Sequence, residues 1–187
     1  MIPFQHSSEL WSLFLDRDGV LNEEIHNGYV NEWMEFKFYP DTLESLHSLS
    51  HCFNRIVVVT NQRGIGKGIT KPASLETIHE NMTHEIVQHG GRLDKIYFCP
   101  DIDTNSYDRK PNPGMGMKAK ADYPEIDFKR SIMVGNNLSD MLFGKNLGMY
   151  TVFITSTNPE MTSEHPDIDL LFPNLSSFSQ WVLSNMC

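Results

Sequence analysis

The stretch that decides the fold is Ser12-Leu-Phe-Leu-Asp-Arg-Asp-Gly-Val-Leu-Asn22. Its apolar run ends abruptly at Asp16, with Asp18 two residues on, which is typical of a strand buried on both faces of a parallel sheet. Two acids at this spacing on an extended backbone point the same way, into the crevice where open α/β sheets bind ligands. Because close carboxylates repel each other, the pair indicates a metal ion, a shared proton or both. Solvated acids of an Asp-Gly turn are the alternative.

Length and composition favour one soluble α/β domain. The chain has 187 residues, of which 40% are hydrophobic and 21% charged, and its formal net charge is −9. This length suits one α/β domain and is short for two, so we expect a single domain over residues 1–187. The acidic balance argues against general binding to nucleic acids or membrane surfaces.

Three features favour a cytoplasmic location. Residues 1–12 contain no Lys or Arg and no long apolar core, which is unlike a signal peptide. No apolar run approaches the roughly 20 residues that cross a bilayer. The three cysteines, Cys52, Cys99 and Cys187, are an odd number without framework spacing and therefore favour a reducing compartment.

Strand-like runs recur along the chain with helical or loop segments between them. Apolar runs predict six strands, at residues 13–15, 55–60, 95–98, 131–134, 151–154 and 169–172. Helices are predicted over about 41–50, with Asp41 as the N-cap, and over 72–89, 115–123, 139–147 and 174–183. Residues 22–40 and 61–70 are predicted to be loops. This alternation predicts a three-layer, doubly wound, mainly parallel sheet.

Polar residues follow four of these strands. In chain order they are Asp16 and Asp18, then Thr60, then Arg109-Lys110, and then Gly-Asn-Asn-Leu-Ser-Asp at 135–140. This order resembles the haloacid dehalogenase superfamily of phosphohydrolases, whose motifs run D-x-D-G, Ser/Thr, Lys and an acidic pair. Within that superfamily FLDRDGVLN, GYV, VVVTNQRGIGKG, RKPNPGM and MVGNNLSDM are similar to the D-glycero-D-manno-heptose 1,7-bisphosphate 7-phosphatases, with the histidinol-phosphate phosphatases as nearest relatives.

The resemblance implies a Mg²⁺-dependent phosphomonoesterase with a HAD-like Rossmannoid fold. Asp16 would ligate Mg²⁺ through one oxygen and attack phosphorus with the other, forming an aspartyl-phosphate. Asp18 would ligate the metal through its carbonyl, and its side chain would act as general acid and then general base. Thr60 and Lys110 would hold the transferring phosphoryl oxygens. The remaining expected residues are the metal ligands Asn136 and Asp140 and the substrate contacts Asn27, Gly28, Tyr29, Asn61, Gln62, Arg63, Arg109 and Asn137.

Charge supports an anionic substrate independently of the family. Basic residues fall in or beside the proposed crevice loops although the chain is acidic overall: Arg17, Arg63, Lys67, Arg109 and Lys110. They could build a local positive field, or they could be solvated cations with no common focus. The histidines of the predicted helix over 72–89, His79, His84 and His89, lie five residues apart and are expected to be solvated.

Two positions depart from the family pattern. Asn136 stands where an acid usually ligates the metal, so we expect weaker Mg²⁺ binding, with Asp140 compensating through a water or by holding Lys110. Relatives often carry a structural zinc in the loop that here runs from Cys99 to Lys110, held by three Cys and one His. Because one thiolate cannot make a tetrahedral site, we expect no structural zinc and a buried Cys99.

The spacing between the motifs leaves no room for a separate cap domain. We therefore expect an open crevice, shielded only by the loops at 22–40 and 101–109. The sequence favours a phosphatase acting on a small phosphorylated sugar, with a heptose bisphosphate first, in a monomer or weak homodimer. The alternatives are a histidinol-phosphate or other small-molecule phosphatase, a phosphate-binding pseudoenzyme, and a phosphotransferase with an acceptor other than water.

Overall fold

A computed structural model describes residues 11–185 and contains six strands. Their bounds are Ser12–Leu15 (β1), Arg55–Asn61 (β2), Lys95–Cys99 (β3), Ser131–Gly135 (β4), Tyr150–Ile154 (β5) and Leu170–Phe172 (β6). The strands form one sheet in the order β3-β2-β1-β4-β5-β6, and every neighbouring pair is parallel. The predicted doubly wound sheet is confirmed, and no separate cap domain is evident among the described residues.

Strand β1 lies inside the sheet because its side chains are apolar on both faces. It pairs with β2 on one side and with β4 on the other. Leu13 and Leu15 pack into one core and Phe14 into the other, and all three are fully buried. Burial of side chains of this size contributes about 1.5–3 kcal/mol each. The chain leaves this core at Asp16, which places the carboxylate at the edge of the sheet.

Helices cover both faces of the sheet. Their bounds are Thr42–Cys52 (α1), Arg63–Gly66 (α2), Pro72–Gln88 (α3), Gly114–Asp122 (α4), Leu138–Leu147 (α5) and Leu175–Asn185 (α6). Apolar residues of α1, α3 and α6 pack against Leu13 and Leu15, whereas those of α4 and α5 pack against Phe14. None of the helices described between residues 11 and 185 is long and apolar enough to span a membrane.

Two local predictions need correction in detail. Asp41 is the N-cap of α1, as predicted, but it has a left-handed conformation, with φ 61°, and its side chain makes no capping hydrogen bond; only its carbonyl accepts, from the Ser45 amide. The segment 61–70, predicted to be a loop, contains the short helix α2. Cys99 is free and buried, as expected, whereas Cys187 lies outside the described residues.

Candidate active site

The carboxyl ends of β1, β2 and β4 border a crevice of about 560 Å³. Most of the expected site residues line it: Asp16, Asp18, Asn27, Gly28, Tyr29, Thr60, Asn61, Gln62, Arg63, Arg109, Lys110, Asn137 and Asp140. Asn136 is the exception, since it lines an adjoining cavity of about 660 Å³ that shares Glu24, Asn27 and Asn137 with the crevice. The parallel sheet therefore brings together residues that lie far apart in the chain.

At the base of the crevice, Lys110 is buried between two carboxylates. Its Nζ lies 2.9 Å from Asp16 Oδ1 and 2.6 Å from Asp140 Oδ1. The other oxygen of Asp140 accepts a hydrogen bond from the backbone amide of Asn137 at 3.0 Å. This bond is part of a capping box at the start of α5. Both oxygens of Asp140 are thus engaged by the protein. Of the two roles expected for Asp140, the structure shows the one in which it holds Lys110.

Asp16 is a buried carboxylate with one oxygen left over. Burial raises the pKa of Asp16 to about 7, opposed by the nearby Lys110 and reinforced by Asp140. Its Oδ1 faces Lys110, and no side chain or amide of the described residues donates to Oδ2. An oxygen in this position is available to a cation or to an electrophile.

Asp18 is held by donors on both of its oxygens. Arg17 Nη2 and Asn22 Nδ2 donate to Oδ1 at 2.8 and 3.0 Å, and Gln62 Nε2 donates to Oδ2 at 2.9 Å. Burial alone would raise the pKa of Asp18, but Arg17 and the hydrogen bonds outweigh burial and lower that pKa. The two acids of the D-x-D motif therefore differ in acidity although they lie two residues apart.

A buried histidine completes the surroundings of Asp18. Arg17 is fully buried, and its Nη1 lies 3.1 Å from Nε2 of His79 on α3. Burial, followed by the charge of Arg17, lowers the pKa of His79 to about 3, so this ring is neutral and its Nε2 accepts from Arg17. The expectation that His79 is solvated was wrong. Its position four residues after Leu75 and three before Met82 could have placed it beside the buried stripe.

The residues at the carboxyl end of β2 connect the motifs across the crevice. Gln62 Nε2 donates to Thr60 Oγ1 at 2.9 Å as well as to Asp18. Asn61 donates to the Lys110 carbonyl at 3.1 Å and accepts from the Lys110 amide at 3.0 Å. Both ends of the Asn61 amide are thus bound to the backbone of Lys110. These contacts fix Thr60 and Lys110 relative to each other.

Three cations besides Arg17 and Lys110 line the crevice, and we call Arg63, Lys67 and Arg109 the outer cation cluster. Arg109 donates to the Asp101 carbonyl at 3.0 Å, and Lys67 Nζ lies 5.5 Å from the centre of the Tyr29 ring. Burial and then the charge of Arg63 lower the pKa of Arg109. Within the described part of the chain, none of the three cations pairs with a carboxylate. Their charge is available to an anionic ligand.

Asn136 is buried beneath the turn that follows β1. Its Nδ2 donates to Glu24 Oε2 at 3.1 Å and to Thr157 Oγ1 at 2.8 Å, and its Oδ1 accepts from Asn137 Nδ2 at 3.2 Å. Gly19 has φ 86°, and a Cβ there would overlap this amide, so the turn requires glycine. Sequence reasoning missed Glu24, since nothing distinguishes it from the neighbouring acid Glu23.

Hydrogen bonds organise the loop from Cys99 to Asn112. Ser106 donates to the Asp101 carboxylate, and Asn112 Nδ2 donates to the carbonyls of Ser106 and Thr104 at 2.8 and 3.1 Å. Among residues 11–185, no group of three or more His, Cys, Asp or Glu side chains is arranged to hold a metal. A cation beside Asp16 would therefore need backbone and amide oxygens as further ligands.

The fold and this crevice define a class. A HAD-hydrolase-like family model matches residues 107–177. The chain belongs to the haloacid dehalogenase-like hydrolases, and it is a phosphatase.

Particular relatives share most of the chain. The D-glycero-beta-D-manno-heptose-1,7-bisphosphate 7-phosphatase of Escherichia coli K12 is 33% identical over 183 residues, covering 94% of this chain and 89% of that protein. The corresponding alpha-heptose enzyme of Mycobacterium tuberculosis H37Rv is 33% identical over 144 residues, covering 76% of each chain. The crystal structure of the D,D-heptose 1,7-bisphosphate phosphatase of B. bronchiseptica, complexed with magnesium and phosphate, matches with a TM-score of 0.85 at 27% identity. That match covers 94% of this chain and 99% of the other.

The burial of neutral His79 makes stability depend on pH. The pKa of His79 is about 3 in the folded protein against an ordinary value of 6.5, so the unfolded chain binds more protons between these values. His79 therefore makes the free energy of unfolding fall with decreasing pH, by up to about 1.4 kcal/mol per pH unit. We expect His79→Gln to reduce this slope in urea unfolding series, with His84→Gln as the matched control. An unchanged slope in His79→Gln would contradict the assignment.

The loop from Cys99 to Asn112 should keep its structure without metal. We expect Ser106→Ala to lower the free energy of unfolding by about 1 kcal/mol, because the Asp101 carboxylate loses a hydrogen bond. Ser163→Ala, at an exposed serine in another loop, is the control. In buffer without added divalent cations, chelators should leave Tm unchanged in both variants and in wild type. One equivalent of zinc in the purified protein would overturn this prediction.

Proposed function

We propose that the chain hydrolyses small phosphorylated sugars through an aspartyl-phosphate on Asp16, with Mg²⁺ as the cofactor. The observation that carries this proposal is the buried arrangement of Lys110 between Asp16 and Asp140, which leaves one Asp16 oxygen without a partner among residues 11–185. A carboxylate held this way can approach phosphorus, while the ammonium group lies ready to bind a phosphoryl oxygen.

The residues around Asp16 fit a magnesium ion. No group of the described residues donates to Asp16 Oδ2, and the pKa of this carboxyl is raised. Both features indicate a site that favours a cation. The Asp16 carboxylate, the Asp18 carbonyl and the Asn136 amide oxygen would hold it, and such oxygens are the ligands that Mg²⁺ prefers. When bound, the ion offsets the repulsion between a phosphate dianion and the attacking carboxylate. The relative from B. bronchiseptica was crystallised with magnesium and phosphate, which supports the same assignment.

In the first step an Asp16 oxygen attacks phosphorus, and the bond from phosphorus to the sugar oxygen breaks. The leaving oxygen takes a proton from Asp18. Arg17 and its neighbours lower the pKa of Asp18, so this carboxyl must gain a proton as the dianionic substrate arrives beside it. Thr60 and Lys110 hold the transferring phosphoryl oxygens.

In the second step Asp18, now ionised, takes a proton from a water molecule. The water oxygen attacks phosphorus, and the bond between phosphorus and Asp16 breaks, which releases inorganic phosphate. Ionised Asp18 is the state that Arg17, Asn22 and Gln62 stabilise. The surroundings of Asp18 thus favour the form that acts as general base.

Removing the nucleophile tests the reaction. We expect Asp16→Asn to lower the release of phosphate from p-nitrophenyl phosphate with Mg²⁺ by at least about 10³-fold, because an amide cannot form the acyl phosphate. Asp108→Asn changes a carboxyl outside the crevice lining and should keep wild-type activity. Turnover that survives in Asp16→Asn would reject this mechanism, and a wild-type protein that binds phosphate without turnover would support a pseudoenzyme.

The outer cation cluster supports a substrate with a second anionic group. Three cations that pair with no carboxylate of the described residues border the same crevice as Asp16 and Lys110. A sugar bisphosphate could place one phosphate at each end, in keeping with the heptose-1,7-bisphosphate 7-phosphatases that share 33% identity. Histidinol phosphate, the alternative, carries an amine that this cluster would repel. We therefore propose a bisphosphorylated sugar, with a heptose bisphosphate first.

Arg63 separates the two substrate classes. We expect Arg63→Gln to lower kcat/KM for a heptose bisphosphate by about tenfold, because one charge-assisted contact is lost. For a monophosphate, kcat/KM should change by less than about twofold. Lys37→Gln removes an exposed cation outside the crevice and is the control. Equal losses on both substrates would show that Arg63 does not contact a second phosphate.

A further inference from the structure

An amide at position 136 poses a problem that a carboxylate does not. Its two ends differ: the carbonyl oxygen can ligate a cation, whereas the NH₂ group only donates hydrogen bonds. An asparagine therefore serves a cation site only when its orientation is fixed. It also brings no negative charge, unlike the acid usual at this position in the family.

The structure shows which neighbours contact each end of the Asn136 amide. Glu24 Oε2 and Thr157 Oγ1 accept from Nδ2 at 3.1 and 2.8 Å, and Asn137 Nδ2 donates to Oδ1 at 3.2 Å. A hydroxyl and a second amide can each either donate or accept, so Thr157 and Asn137 tolerate both orientations. An ionised carboxylate only accepts. Glu24 is therefore the contact that decides the orientation.

Glu24 is also placed to act on the electrostatics of the site. It comes from the loop after β1 and lines both the catalytic crevice and the adjoining cavity that Asn136 lines. It thus borders the same space as Asp16 and Asp18. Glu24 and its neighbour Glu23 are both exposed, but the Glu23 side chain makes no hydrogen bond or ion pair within the described residues.

We propose that Glu24 is a positioning residue for the cation site. By accepting from Nδ2, it leaves the carbonyl end of Asn136 as the end that can ligate, and it returns the negative charge that the amide lacks. This inference rests on the proposed magnesium site of the phosphatase. Its test is therefore the affinity for a cation, measured without turnover.

The measurement is Mn²⁺ binding followed by electron paramagnetic resonance, with no substrate present. We expect Glu24→Gln to raise the Kd by about tenfold, because a glutamine has lost the charge and can face the Asn136 amide in either orientation. Glu23→Gln removes the same charge from the adjacent residue and should change Kd by less than about twofold. A melting curve for each variant shows that it is folded.

A second background separates positioning from charge alone. With Asn136→Asp the residue at 136 has two equivalent oxygens and no end to orient. There we expect Glu24→Gln to change the Kd for Mn²⁺ by less than about threefold. A tenfold loss in both backgrounds would mean that Glu24 acts only through its charge, and the positioning role would be overturned. The same holds if Glu24→Gln binds Mn²⁺ like wild type.

The outcome distinguishes this inference from the function on which it rests. If wild type binds Mn²⁺ and releases phosphate but Glu24→Gln changes neither, only the role of Glu24 fails. If wild type binds no Mn²⁺ in the range where Mg²⁺ would support catalysis, the proposed metal site fails and the inference fails with it.

Discussion

The structure depends on one buried ammonium group. Lys110 lies between Asp16 at the end of β1 and Asp140 in the first turn of α5, and Asn61 at the end of β2 binds its backbone. Removing one partner of such a group is costly, about 3–5 kcal/mol, because a charge is left buried alone. The contacts of Lys110 therefore assemble the crevice and also join the ends of β1, β2 and α5. The fold and the site depend on the same buried group.

That constraint leaves the base of the crevice with two carboxylates for one ammonium, and so with negative charge in a buried place. The neighbours of the D-x-D motif then separate its two acids. Burial raises the pKa of Asp16, whereas Arg17, itself bound to His79, helps to lower that of Asp18. Groups whose surroundings push their pKa values apart are suited to different roles in one reaction. In the proposed reaction, the raised pKa suits Asp16 to a cation beside it, and the lowered pKa favours the ionised form of Asp18 that takes a proton from water.

The sequence predicted those features that depend on local pattern. The apolar runs that end in Asp16, Thr60 and Gly135 mark strand ends, and parallel strands bring their carboxyl ends to one edge. It did not predict contacts between distant residues with no pattern of their own. Arg17 and His79 are 62 positions apart, and Glu24 and Asn136 are 112 apart. Periodicity shows which face of an element is buried, but it does not show which polar group meets another across the core.

The same reasoning explains why an amide is tolerated at position 136. Glu24 Oε2 lies 3.1 Å from Asn136 Nδ2, so an acid at 136 would place two carboxylates in contact. Two carboxylates in contact repel each other. With glutamate at 24, an amide at 136 removes that repulsion and gains a hydrogen bond. In the proposed metal site, Glu24 would supply the negative charge and Asn136 the oxygen ligand, so the two residues would act as a pair.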